Sequence, residues 1–149
     1  MPNVPVRRCP PLWLAFRNHC YLYKTERKTF QEAERYCSNL SIQAHLVSIS
    51  DDEENQLAFR YAQLVHRQDF WIGYSDAQSE GNFVWTDGNG DGFTAWNHRE
   101  PNNGGGNQDC AYYHLKAFKW DDLLCSTALN AFMCKVPKNE GEKHKATHV

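Results

Sequence analysis

The chemistry this sequence offers in quantity is oxygen ligation, and the oxygens gather in one stretch. From Asp87 to Asp109 the chain is dominated by glycine, asparagine, aspartate and proline, with few apolar anchors. A segment of that length without periodicity is uncommon inside a compact domain and usually means function or disorder. Calcium suits such a segment, because it takes about six to eight oxygens from carboxylates, amides and carbonyls in a flexible geometry. Within the stretch, Asp87-Gly88-Asn89-Gly90-Asp91-Gly92 imitates the first half of an EF-hand loop. That assignment is rejected: His98 stands where the bidentate Glu is needed, and the flanks read as strand and loop in place of helices. Other chemistries find less support. The seven histidines show no His-Glu-x-x-His or comparable spacing, and the six cysteines include no Cys-x-x-Cys pair. Three disulfides are the economical expectation, and they leave no thiol nucleophile. Close pairs of acids exist, but calcium loops account for them, and hydrolysis has no signature here. An enzyme is not expected.

Several elements must position this loop. Thr29 followed by Glu32 is a capping box, and the run Phe30 to Cys37 after it reads as a helix with Phe30, Ala33 and Cys37 on one face. Ser50 with Glu53 reads as a second box, opening a helix from Asp51 to Val65 on which Leu57, Tyr61 and Leu64 recur at helical spacing. Strand character appears at Tyr21-Leu22-Tyr23, His45 to Ile49, Phe70 to Tyr74, Asn82 to Trp85, Cys110 to Leu115 and Asn130 to Lys135. The five tryptophans, Trp13, Trp71, Trp85, Trp96 and Trp120, are expected in the core and at the base of the loop. Beyond Pro137 the tail is polar and apolar-poor, too weakly hydrophobic to offset the entropy of ordering, and is expected to be mobile. No repeat or low-complexity stretch divides the 149 residues, so one domain is expected.

The order of these features resembles C-type lectin-like domains from Cys9 to about Val136. The resemblance is carried by the Cys9-Pro10-Pro11-Leu12-Trp13 opening of the long form, His45-Leu46-Val47-Ser48-Ile49, Trp71-Ile72-Gly73-Tyr74, Glu100-Pro101-Asn102, and Lys119-Trp120-Asp121-Asp122 ahead of Cys125. It points to the secreted single-domain lectins of invertebrates and fish. It implies an α+β fold, with two helices flanking two small antiparallel sheets and a long calcium-binding loop. The lectin domain would span 9–136, with an N-terminal extension over 1–8 and the polar tail over 137–149. Six cysteines allow 15 pairings; the resemblance implies Cys9-Cys20, Cys37-Cys134 and Cys110-Cys125. It also implies a cis bond before Pro101, letting neighbouring side chains converge on one ion.

In the family, the motifs at these positions bind one calcium and the sugar together, which maps onto Glu100, Asn102, Gln108, Asp121 and Asp122. Two of the five depart from the mannose-type pattern: Gln108 stands in place of Glu and Asp121 in place of Asn. The departures compensate, since three carboxylates remain in the set. An ionised carboxylate only accepts hydrogen bonds, whereas an amide coordinating through oxygen still offers two N–H donors. Glu100 with Asn102 would serve one sugar hydroxyl, and Asp121 with Gln108 the other, with donor and acceptor exchanged. Glu-Pro-Asn goes in the family with mannose, fucose, glucose and N-acetylglucosamine, and Gln-Pro-Asp with galactose. Mannose-type binding is the leading expectation. The segment Asn103-Gly104-Gly105-Gly106-Asn107 has no ring to pack on galactose's apolar face. A second, auxiliary calcium would fall to Asp76, Glu80, Asn103 and Asp109.

Composition bounds the partners. The formal net charge of -2, with both signs interspersed, offers no basic stripe for nucleic acid. No apolar run approaches the roughly 20 residues that cross a bilayer. Three disulfides imply an extracellular protein, any signal peptide already removed, and Asn39-Leu40-Ser41 is a formal glycosylation acceptor. Mono- or oligosaccharides of microbial or cell-surface glycans are the expected ligands, in a setting such as innate defence. A non-covalent homo-oligomer would supply multivalency. The alternatives are a galactose-type lectin, or a module of this fold binding protein, mineral or ice.

Overall fold

The computed structural model describes residues 7–140 apart from 99 and 102–108. Ten strands and two helices follow in the order β1 (Arg7–Arg8), β2 (Leu14–Phe16), β3 (His19–Lys24), α1 (Phe30–Leu40), β4 (His45–Leu46), α2 (Asp52–Val65), β5 (Phe70–Ser75), β6 (Val84–Trp85), β7 (Asp109–His114), β8 (Lys119–Leu124), β9 (Phe132–Pro137) and β10 (Asn139–Glu140). The two antiparallel ladders β2-β3-β9 and β5-β7-β8 join through a parallel pairing of β5 with β9, Trp71 opposite Phe132, into one sheet that β4 and β6 complete. Among the described residues no helix is long and apolar enough to cross a membrane.

The first helix forms as its sequence dictates. Thr29 Oγ1 accepts from the Glu32 N–H and the Thr29 N–H donates to Glu32 Oε1, a reciprocal cap. Phe30, Ala33 and Cys37 are the buried face. The second helix begins one residue later than the Ser50 and Glu53 pattern suggests. Asp51 is its N-cap, accepting from the Glu54 N–H at 2.9 Å, while Glu54 reaches back to the Ser50 N–H. The expected stripe of Leu57, Tyr61 and Leu64 is also corrected: the buried face is Glu54, Asn55, Ala58 and Ala62, and Leu64 is 86 % exposed. Alanines at 58 and 62 let the helix approach the sheet closely, so the bulkier Leu57 and Tyr61 pack along its rim.

Two apolar clusters lie against the sheet. Tyr21, Val47, Ile49, Phe70, Ile72, Tyr113, Trp120 and Met133 belong to one. Phe30, Leu46, Trp71 and Phe132 surround the Cys37–Cys134 disulfide in the other. The pairings Cys9–Cys20, Cys37–Cys134 and Cys110–Cys125 are those the resemblance implied. Cys37 and Cys134 are 97 residues apart, so this bridge removes about 4 to 5 kcal/mol of unfolded-chain entropy. Gly73 marks the tightest crossing: a Cβ there would lie 2.7 Å from the Leu46 carbonyl oxygen and from Thr86 Oγ1. Asn139 and Glu140, expected within the polar tail, pair with Arg8 and Arg7 of the N-terminal extension; residues 141–149 lie outside the described residues.

Candidate functional site

The β7–β8 hairpin carries the acids, and the preceding loop is stitched to it. Trp120 N–H donates to the Ala95 carbonyl at 2.9 Å and Asn97 N–H to the Trp120 carbonyl at 2.8 Å, so Trp96 runs alongside Trp120 immediately before Asp121 and Asp122. Glu100 N–H then donates to the Asn97 carbonyl at 2.9 Å, and the Glu100–Pro101 bond is cis, as the resemblance implied. The end of the loop is thereby delivered to the hairpin by backbone bonds and by the packing of Trp96 on Trp120, with ring centroids 5.9 Å apart.

Asp122 lies there against Glu100 on one side and Asp109 on the other. Glu100 bonds to both the side chain and the backbone of Asp122; its pKa is pushed up to about 7, by burial first and then by the Asp122 and Asp121 carboxylates. Asp109, 1 % exposed, is raised to about 6, by burial first, then by the charges of Asp122, Asp76 and Glu80. Asp76 is itself buried and anchors a turn, its carboxylate accepting from the Asp109 N–H at 2.7 Å and the Gly81 N–H at 3.0 Å. The acids expected at the principal site and those expected at an auxiliary one therefore form a continuous electronegative line, from Glu100 through Asp122 and Asp109 to Asp76 and Glu80.

Alternation along β8 separates two neighbours. Trp120 and Asp122 are buried on one face, and Asp121 falls on the other. There Asp121 Oδ2 accepts from His114 Nδ1 at 2.7 Å and from the Tyr112 hydroxyl at 3.3 Å. Tyr112 and His114 were not among the sequence-derived candidates. They sit two residues apart on one face of a strand, but only the register that sets Tyr112 opposite Asp121 reveals the contact. Burial raises the Tyr112 hydroxyl, and the Asp121 charge adds to it, so it remains a hydrogen-bond donor through the physiological range.

Two buried carboxylate oxygens, Asp109 Oδ2 and Asp121 Oδ1, have no hydrogen-bond partner among the described residues. Crowded carboxylates with raised pKa values and oxygens left over are the electrostatic complement of a hard cation. Among the described residues no three His, Cys, Asp or Glu side chains are gathered closely enough to hold a metal by themselves. Asn102 and Gln108 of the principal set and Asn103 of the auxiliary set lie outside the described residues. Glu100 thus lies against Asp122 at the middle of β8, and Asp121 stands on the opposite face of the same strand.

Comparison with known proteins gives a consistent result. The Lectin C-type domain profile matches residues 26–136. Echinoidin from Heliocidaris crassispina is 34 % identical over 142 residues, covering 87 % of this chain and 97 % of that protein. An alpha-N-acetylgalactosamine-specific lectin from Patiria pectinifera is 37 % identical over 141 residues, covering 87 % and 83 %. The crystal structure of the C-type lectin CEL-I from Cucumaria echinata, 28 % identical, superimposes with a TM-score of 0.83 over 89 % of this chain and 99 % of that one.

Proposed function

Because the chain belongs to the C-type lectin domain family, we propose that it is a secreted, calcium-dependent sugar-binding protein whose site is built from Glu100, Asn102, Gln108, Asp121 and Asp122. The observation that carries this reading is the convergence of the Glu100, Asp122 and Asp109 carboxyls at the base of the loop, raised in pKa by burial and by one another. Carboxyls held in contact with one another at the cost of burial and mutual repulsion are the arrangement a divalent cation would relieve. When bound, calcium offers vicinal hydroxyls of a pyranose a cationic centre in exchange for water.

The side chains set polarity. Glu100 and Asp121 accept from sugar hydroxyls, and the amides of Asn102 and Gln108 donate to them. The His114 and Tyr112 contacts fix one carboxylate oxygen of Asp121, and its buried Oδ1 has no hydrogen-bond partner among the described residues. The Glu100-Pro101-Asn102 motif favours mannose-, fucose- or N-acetylglucosamine-type ligands. A galactose-type preference is the second reading, favoured by the name of the Patiria pectinifera relative and by the acid at position 121. Asp76, Glu80, Asn103 and Asp109 would hold an auxiliary calcium. The reading includes no catalytic step, since each acid in the line has a ligating or structural part.

Three internal disulfides fit an oxidising, extracellular setting, and they consume every cysteine. Any oligomer is therefore held by non-covalent surfaces. Glycan-array binding with calcium and again with EDTA tests the reading. Signal on mannose-, fucose- or N-acetylglucosamine-terminated glycans that EDTA abolishes is the expected result. A calcium-dependent signal on galactose-terminated glycans alone selects the second reading, and no signal in either condition overturns both.

A further inference from the structure

A second concavity lies outside the acidic line. It is a groove of about 530 Å³ between β6 and the glycine-rich turn that follows it, lined by Tyr74, Gln78, Phe83, Val84, Trp85 and the backbone around Gly90. That volume falls within the range of small-molecule sites. We propose that this groove is a calcium-independent subsite for one neutral pyranose unit of a glycan, an inference that shares with the lectin reading only the chemical class of the ligand.

The groove's composition selects the occupant. None of the described residues lining it carries a charge, so it offers nothing to a phosphate, a sulfated sugar or a metal ion. Its wall is a rigid aromatic cluster: Tyr74 stacks on Trp85 with centroids 4.2 Å apart and meets Phe83 at 5.4 Å. Trp120 buttresses that cluster from the core side, 5.8 Å from Tyr74 and 5.4 Å from Trp85. Pre-packed rings present apolar faces at little entropic cost, and a pyranose has one apolar face of C–H bonds to lay on such a surface. Its hydroxyl edge needs donors and acceptors. Here the Tyr74 hydroxyl, the Gln78 amide and the Trp85 indole N–H make no hydrogen bonds among the described residues. Opposite them the turn exposes backbone, because a Cβ at Gly90 would meet no atom within 4 Å. An aliphatic chain would leave those polar groups unpaired, and a charged ligand would find no counter-charge; a neutral polyol with one apolar face satisfies both walls. Trp96 packs against the aromatic wall, its ring centroid 5.1 Å from that of Phe83 and 5.9 Å from that of Trp120, and no described residue lining the groove belongs to the Glu100–Asp122 cluster. The subsite therefore works without the calcium ligands.

The test is a proton–nitrogen NMR titration of the full chain with mannotriose and with triacetylchitotriose in EDTA, following the Trp85 indole and Gly90 amide signals. Saturable shifts of these signals in EDTA are expected for at least one sugar. Phe83→Ala and Gly90→Leu are each expected to weaken that binding by about tenfold or more. Gly90 has ordinary backbone angles and open space around it, so its leucine variant fills the groove without straining the fold and keeps the test decisive if Phe83→Ala fails to fold. Calcium-dependent array signal is expected to survive Gly90→Leu and to disappear in Asp122→Ala, while the EDTA-resistant shifts survive Asp122→Ala. The proposal is overturned if neither sugar moves these signals in EDTA up to its solubility limit, or if Gly90→Leu leaves the isotherm unchanged.

Discussion

Replacing Lys135 by methionine breaks the most buried ionic contact among the described residues. Lys135 on β9 and Glu54 on α2 are 6 % and 3 % exposed, and their charged atoms lie 2.6 Å apart. The network is complete: the Lys135 ammonium also donates to the carbonyl and hydroxyl oxygens of Ser48 at 3.1 Å, and Glu54 accepts from the Tyr21 hydroxyl and the Ser50 N–H. Burial works to raise the Glu54 carboxyl, but the Lys135 charge and these hydrogen bonds overcome it and hold the group below the usual range. Lys135→Met strands an ionised carboxylate where water does not reach, a loss of about 3 to 5 kcal/mol. For a domain of this size that lowers Tm by roughly 10 °C. The double variant Lys135→Met with Glu54→Leu removes both charges and is expected to recover most of the loss, short of about 1 to 2 kcal/mol for the partners left by Tyr21, Ser48 and Ser50. Urea unfolding of the wild type, both single variants and the double variant, disulfides intact, measures the coupling energy directly. A Lys135→Met loss below about 1 kcal/mol, or a double variant no better than the single, would refute the account of a dry, mutually dependent pair.

Proton linkage gives a second expectation, for the metal-free protein. Glu100 and Asp109 titrate in the fold near 7 and 6, above their unfolded values of about 4, so the native state holds protons that the unfolded chain has released. Stability in EDTA therefore falls as pH rises through that window and levels off above about 7, whereas the Glu54 contribution is lost only as pH falls below the usual carboxylate range. Thermal melts in EDTA from pH 5 to pH 8 should show that decline, and calcium should raise Tm more at pH 8 than at pH 5; an upward trend in EDTA would reverse the sign. Gly73→Ala places a methyl group 2.7 Å from the Leu46 carbonyl, a backbone atom that cannot rotate away. It should cost about 1 to 3 kcal/mol by denaturant unfolding, and a neutral outcome would show that β4 shifts freely. Thr29→Ala removes the reciprocal cap of α1 and should cost about 1 kcal/mol, read as a lower urea midpoint with unchanged m.

By itself the sequence determined what local chemistry determines. The capping box at Thr29 and the face of Phe30, Ala33 and Cys37 are fixed by neighbours within one or two helical turns, and both were legible. The pairing of six cysteines and the cis bond at Pro101 came from resemblance to a family, since nothing in their spacing selects one pattern from 15. Where a residue's role depends on a distant partner, local pattern failed. The second helix buries alanines and a glutamate beneath Leu57 and Tyr61, because Lys135, 81 positions further along, waits there with the opposite charge. Glu100, Asp121 and Asp122 were legible as acids fit for a cation, yet their order in the chain says nothing of which face each takes. Strand alternation turned Asp122 toward Glu100 and Asp121 toward Tyr112 and His114, a division set by the register of β7 against β8. Burial then raised the pKa values of Glu100 and Asp109, which only a folded environment does, because desolvation and like-charge crowding arise when separate segments are packed together.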